Sequence, residues 1–329
     1  MILAACARTP PQLVLSGPTM GTTYSVKVIN APHALTSHRL RLTVEAELER
    51  VDLMMSGYRD DSEISRFNAS HSTDWMSVSN EIALVIAAAL EVSAFSNGAF
   101  DVTVAPLVRL WGFGPHNEPP IELPQAETIT AVRDRLGYER LHVRAEPAAL
   151  RKEIASLSVD LNGIAPGYAV DRVARRFDAL GLTDYMIEIG GEIRARGSNA
   201  DNARWRIAVE RPMNTDAAPF AILHLRDVAV TTSGGYRHFY DRDGRRYSHT
   251  IDPRSARPVE HDLASVVVLH PTAMYADAWA TAFSVLGAEE GFRLAEAHSV
   301  AAMFIRRAGE EFVSSMTPEF ERYIADSGE

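Results

Sequence analysis

The stretch Val228–Thr281 reads VAVTTSGGYRHFYDRDGRRYSHTIDPRSARPVEHDLASVVVLHPTAMYADAWAT, and it passes from strand to hairpin to helix within one run of chain. Its apolar start, Val228–Thr232, ends in Ser233-Gly234-Gly235, where glycine lets the backbone come close to a ligand and turn N–H groups toward an anion or phosphate. A hairpin is predicted next, around the tip Asp241-Arg242-Asp243-Gly244. Alternation along its return strand puts Tyr247, His249 and Ile251 on one face. Finally, Asp277 and Thr281 stand four apart in an Ala-rich helical pattern, so a carboxylate and a hydroxyl share a helix face. Two oxygen donors of that kind suit a hard cation such as Mg²⁺. Each feature alone has a plain explanation: a turn, a packed histidine, a solvated or capping helix face. Their conjunction is what points to a site.

Working outward, Trp205–Glu210 and Phe220–Leu225 alternate as strands expected to join the same sheet as Val228–Thr232. Tyr185–Ile193 is a strand that runs into the Gly190-Gly191 bend, where Glu192 either points into the site or belongs to a structural bulge. Asp160 ends a strand, and Gly163–Gly167 lead into a helix, which can turn backbone groups toward a diphosphate and its metal. Gly163 has no side chain and offers a metal only its carbonyl oxygen. Trp111-Gly112-Phe113-Gly114 reads mainly as aromatic core packing. A helix over Asn80–Ser96 stops at Asn97-Gly98, a left-handed terminator, and Leu40, Val44, Leu48, Val51 and Met55 form the apolar stripe of an earlier one. The loop that follows carries Tyr58, whose ring offers a flat face and a hydroxyl, while Ser62–Ser65 cap a short helix. Thr19–Ile29 alternates as a half-buried strand, with Met20-Gly21-Thr22 at its entrance. A second short helix is expected near Glu289–His298. Runs of strands broken by helices that do not alternate regularly favour α+β over a doubly wound sheet. The expected organisation is a leader and tether over 1–17 and a compact domain over 18–329, whole or in two packed halves with the ligand cleft between them.

The chain has 329 residues, 46% of them hydrophobic, enough for a sizeable core. With 33 basic against 43 acidic residues its net charge is -10, and no basic stretch offsets this, which argues against a nucleic-acid partner. The single cysteine, Cys6, excludes an internal disulfide and a cysteine-built metal site. Leu3-Ala4-Ala5-Cys6 looks like a bacterial lipobox, although what precedes it lacks a charged start and an apolar segment.

The motifs together resemble those of the ApbE family of flavin transferases, which carry T-S-G, S-H-x-I-D-P and A-D-A-x-A-T in this order. Here they stand as Thr232-Ser233-Gly234, Ser248–Pro253 and Ala276–Thr281. Met20-Gly21-Thr22, Ser56–Asn68, Gly98–Leu107 with Trp111–Gly114, Val159–Asp171 and Gly190–Ile193 fit the family pattern as well, so the resemblance spans nearly all of the chain after Pro18. It implies an α+β flavin transferase that moves FMN from FAD to a Thr or Ser hydroxyl of an acceptor protein and releases AMP. It further implies that Met20, Tyr58, Ala99, Phe100, Asp101, Asp160, Pro166, Ser233, Gly234 and Ile251 border the FAD. Mg²⁺ would then be held by Gly163, Asp277 and Thr281. His249 is the residue expected to act as the base. Pro166 stands where many relatives have Lys or Glu, so it offers no charged contact. The resemblance also leads one to expect a periplasmic lipoprotein anchored to the inner membrane through Cys6, with a membrane-associated redox subunit as acceptor. An FAD pyrophosphatase and a flavin-binding lipoprotein without turnover are the alternative readings.

Overall fold

Leu263–His270, LASVVVLH, has too little polar surface for a strand with one wet face. Val266 and Val268 pack into one core while Val267 and Leu269 pack into another on the opposite side. The computed structural model describes residues 11–114, 119–213, 218–234 and 239–324. In it this strand is the sixth of an eight-stranded sheet: β1 (Gln12–Thr19), β2 (Thr22–Ile29), β3 (Tyr185–Ile189), β4 (Glu192–Arg196), β5 (Val228–Ser233), β6 (Leu263–His270), β7 (Ala301–Ala308) and β8 (Glu311–Met316). The strands neighbour one another in chain order and every pair is antiparallel, so the sheet is a meander. Everything else up to β8 is an excursion between successive strands.

The longest excursion separates β2 from β3. It holds α1 (Ser37–Met55), α2 (Glu63–Ala69), α3 (Asn80–Phe95), α4 (Ala105–Leu110), α5 (Ala126–Arg133), α6 (Ala165–Ala179) and a small sheet of Met76–Ser77, Leu141–Arg144 and Ala149–Lys152. α7 (Ala273–Ala297) joins β6 to β7, and α8 (Pro318–Glu321) follows β8. α1, α6 and α7 cover one face of the sheet, and α3 packs on α7 around the same larger core. The other face is covered by the Trp205–Val209/Ala221–Leu225 hairpin and α8. The α+β class expected from the sequence is the one observed.

Several local expectations hold for the reasons given. The predicted stripe of α1 is buried, Ser62 caps α2 by accepting from the Ser65 N–H at 3.0 Å, and Asn97 and Gly98 take φ of 50° and 75° past the end of α3. Four expectations need correction. Residues 12–17, assigned to the tether, are in the sheet: β1 pairs with β2 from Gln12↔Ile29 onward. Trp205–Val209 and Ala221–Leu225 do not join the large sheet but pair with each other, because Trp205, Val209, Leu223 and Leu225 bury against its far face. The predicted return strand ends at Ser248, and Ile251 pairs with Pro258 in a second small hairpin. The separate helix expected near Glu289 is the second half of α7, marked off only by a non-helical Gly287 at φ 77°. Cys6 and the lipobox lie outside the described residues, as does Gly235.

Candidate active site

α6 and α7 begin beside each other, and each caps the other. Asp171 of α6 accepts from the Ala273 and Met274 N–H groups, both at 3.0 Å, and Asp277 of α7 accepts from the Gly167 N–H at 3.0 Å. Glycine makes the approach possible: a Cβ at Gly167 would stand 2.3 Å from the Ala273 carbonyl oxygen. A carboxylate at a helix N-terminus is favoured by the unsatisfied N–H groups and the dipole, so Asp277 is fixed in place. One turn later Thr281 presents its hydroxyl on the same helix face. Gly163, in the loop before α6, lies against that hydroxyl, and a Cβ there would be 3.0 Å from Thr281 Oγ1. The three residues expected to hold a cation therefore converge from a loop and a helix far apart in sequence.

The electrostatics are those of carboxyls crowded out of water. Asp277 is only 5% exposed, and burial holds its carboxyl well above the usual carboxylate range. Glu192, first residue of β4 after the Gly190-Gly191 turn, is raised as well, by burial and then by the charge of Asp277. Two carboxyls sharing a buried space is an arrangement that a divalent cation relieves. Among the described residues no cluster of three or more His, Cys, Asp or Glu side chains is placed to hold a metal. A cation bound here would meet one or two carboxylates, a hydroxyl and main-chain carbonyl oxygen, all hard donors of the kind Mg²⁺ takes.

Around this group lies a cavity of about 490 Å³. Tyr58, Ala99, Phe100, Asp101 and Asp160 line it, as do Ser233, His249 and Ile251, with Gly163, Asp277 and Thr281. Asn68 clamps both backbone groups of Val159, donating to its carbonyl at 2.8 Å and accepting from its N–H at 2.7 Å; this fixes the stretch that carries Asp160, which is irregular and not the strand end expected from the sequence. Asp101 spends its oxygens on the Thr103 N–H and hydroxyl, both 2.7 Å, and on the Tyr138 N–H at 3.1 Å. Its carboxylate thus acts as a knot that shapes the wall. Tyr58 is 59% exposed, an available ring face. Its hydroxyl titrates above the usual value, through burial and then the charge of Asp160, and the Asn162 side chain hydrogen-bonds to it.

Tyr58 and Asn162 also line a neighbouring cavity of about 550 Å³, and this is where Met20 and Pro166 lie. Met20 occupies the turn between β1 and β2 with φ 42°. Gly234 lines a third cleft, which meets the central one at Thr250 and Ser284. His249 and Ile251 do meet in the central cavity, but not by strand alternation, since the chain leaves the strand between them; His249 sits edge-on to Phe113 with ring centroids 6.4 Å apart. A larger cavity, about 860 Å³ between α3, α6 and the start of α7, shares no residue with the central one and holds none of the predicted residues. Nothing in the sequence singles out Asn162, Thr231 and Ser284; Phe113 reads there as core packing but lines the cavity, and Glu192 stays undecided. Only Glu192, after two glycines, and Phe113, between two, carried a local signal.

The sequence profile of the ApbE family matches residues 20–304. A Vibrio cholerae protein named FAD:protein FMN transferase is 41% identical over 325 residues, covering 99% of this chain and 96% of its own. The solved flavin transferase ApbE from Vibrio cholerae superposes with a TM-score of 0.88 at 41% identity, over 95% of this chain and 99% of its own. The apo form of the Pseudomonas stutzeri flavinyl transferase ApbE gives 0.87 at 41% identity, over 95% and 97%. Motifs, sheet order and cavity all accompany a match that runs nearly end to end, and the chain belongs to the ApbE family.

Proposed function

We propose that this chain is a Mg²⁺-dependent FAD:protein FMN transferase. The observation that carries the reading is the convergence of Gly163, Asp277 and Thr281 with His249 in one cavity, next to the exposed ring of Tyr58. The names of the relatives matched over nearly their whole length support it.

FAD would lie along the two joined cavities, its isoalloxazine against Tyr58 and Met20 and its diphosphate beside Asp277. A hard divalent cation bound by Asp277, Thr281 and the Gly163 carbonyl supplies charge neutralisation for the diphosphate. A Thr or Ser hydroxyl of the acceptor attacks the FMN-side phosphorus, the new P–O bond forms as the P–O–P bridge breaks, and AMP leaves. His249 takes the hydroxyl proton. Transfer of this kind needs chiefly alignment and electrostatic stabilisation, with one group to receive a proton. No helix among the described residues is long and apolar enough to cross a membrane. Attachment through a lipidated Cys6, which would hold the enzyme in the periplasm near a membrane-bound redox acceptor, belongs to the same proposal.

The test is to incubate the protein with FAD and Mg²⁺, with and without a candidate acceptor. FMN mass added to the acceptor, with AMP released in step, is expected. AMP and FMN released equally without acceptor would make the chain a pyrophosphatase, and no AMP in either case would make it a binder.

A further inference from the structure

Hydroxyls inside helices normally turn back to the carbonyl one turn earlier. Thr43, Ser93 and Thr130 all do so here, donating to Arg39, Ala89 and Ala126 at 2.8–2.9 Å. Ser284 of α7 does not: it is 6% exposed, its Oγ is shielded from water, and it has no hydrogen-bond partner. Thr231 of β5 is in the same condition at 1% exposure. A buried hydroxyl left unpaired carries its full desolvation penalty, so two such groups in one small region call for an explanation. Both residues line the central cavity.

Their positions say what they face. Asp277, Thr281 and Ser284 follow one another at helical spacing along a single face of α7, so Ser284 stands one turn beyond the cation group. Val230 pairs with Ile193 across β5 and β4, which places Thr231, one residue on, beside Glu192 and on the same face of the sheet. That face looks at α7, and Glu192 feels the charge of Asp277. Two unspent donors therefore flank the carboxylates, one from the sheet and one from the helix.

We propose that Thr231 and Ser284 are positioning residues that donate hydrogen bonds to the non-bridging oxygens of a nucleotide diphosphate held in this cavity. The inference rests on the FAD reading above. A cation gathers diphosphate oxygens toward Asp277 and Thr281, and the oxygens turned away from it need donors of another kind. Both hydroxyls serve by rotation about χ1 from one staggered well to another. Their unpaired state in the free protein is then recovered on binding, which gives selectivity for ligands that carry the diphosphate.

The experiment is calorimetric titration of ADP with Mg²⁺, and separately of riboflavin, into wild type, Thr231→Val, Ser284→Ala and Thr231→Ser, with thermal melts of each. Hydrogen bonds to charged groups lead one to expect about tenfold or greater loss of ADP affinity in the Val and Ala variants. Riboflavin affinity should not change, and Thr231→Ser should stay near wild type. Because nothing in the free protein pairs with these hydroxyls, the Val and Ala variants should melt no lower than wild type. Unchanged ADP affinity in both variants overturns the proposal, as does a lowered melting temperature or an equal loss of riboflavin. If wild type itself takes neither ADP nor riboflavin, the FAD reading falls first and this inference with it.

Discussion

Asp277 does two jobs at once: one oxygen accepts from the start of α6 and the carboxylate faces the cavity. Asp277→Ala should therefore abolish turnover, assayed by AMP release, while FAD still binds through its ring. Turnover that survives at saturating Mg²⁺ would remove the cation assignment. Proton and cation compete for this carboxylate, and burial raises its pKa, so cation affinity should begin to fall at a higher pH than an ordinary carboxylate would dictate. Mn²⁺ titration at neutral and mildly acid pH measures this, and a flat profile across that range would contradict it. Tyr58→Ala should cost about 1–3 kcal/mol of FAD affinity if a ring stacks on it, with Phe restoring most of the loss. His249→Asn should bind FAD normally and transfer FMN about 10²–10⁴-fold more slowly, the usual worth of a general base. Loss of FAD binding in that variant would return the search for the base to Asp160, because Asp252 is already tied to Arg254. At this scale the sequence was legible wherever chemistry is local: Asp277 and Thr281 are four apart on one helix, and Tyr58 announces an exposed ring. Thr231 and Ser284 were not legible, since an unpaired hydroxyl looks like any other until its surroundings are known.

Elements decide how firmly those residues are held. The reciprocal capping of α6 and α7 ties the loop of Gly163 to the helix of Asp277, so Gly163, Asp277 and Thr281 are held as rigidly as the crossing of two helices. Gly167 is its pivot. Gly167→Ala would drive a Cβ to 2.3 Å from the Ala273 carbonyl oxygen and 2.9 Å from Asp277 Cβ. Backbone on the other side leaves little to yield, and the cost should reach the upper end of the roughly 1–3 kcal/mol typical of overpacking. A denaturant midpoint equal to wild type would show that the two helices can separate freely. Helix stripes, caps and left-handed stops were read correctly because each is set within a turn or two of chain. The hairpin carrying His249 was read too long. Its strand stops at Ser248, where Thr250 N–H turns to the Ser248 hydroxyl at 3.1 Å, and a second hairpin begins at Ile251. The break is part of the cavity wall, so the period-two rule failed at the place where the site needs an irregular chain.

At the scale of the whole molecule, strand order follows chain order, yet little of that was visible beforehand. β2 and β3 are neighbours across the whole excursion from Asn30 to Asp184, and nothing local in either strand announces its partner. The fate of Trp205–Val209 was equally hidden, because a half-buried strand alternates in the same way whether it joins the sheet or lies across it. What the meander achieves is to bring three excursions to one place. The cavity takes Phe100 and Gly163 from the β2–β3 excursion, His249 from the β5–β6 excursion, and Asp277 from the β6–β7 excursion. Bound FAD would touch all three, so ligand binding should stabilise the molecule as a unit. Linkage sets the size: at a free ligand concentration one hundred times Kd the gain is about 2.7 kcal/mol. For a chain this large, that corresponds to a rise in Tm of a few degrees. The short hairpins between β5 and β6 have only a small cluster of their own beneath them, around Trp111, Tyr247 and Ile251. They should gain the most protection in hydrogen exchange, whereas β7 and β8, which contribute no residue to the central cavity, should gain only what global stability confers. A uniform gain, with no excess over Phe239–Pro258, would mean that the ligand does not engage the His249 wall and that FAD lies wholly in the Met20 cavity.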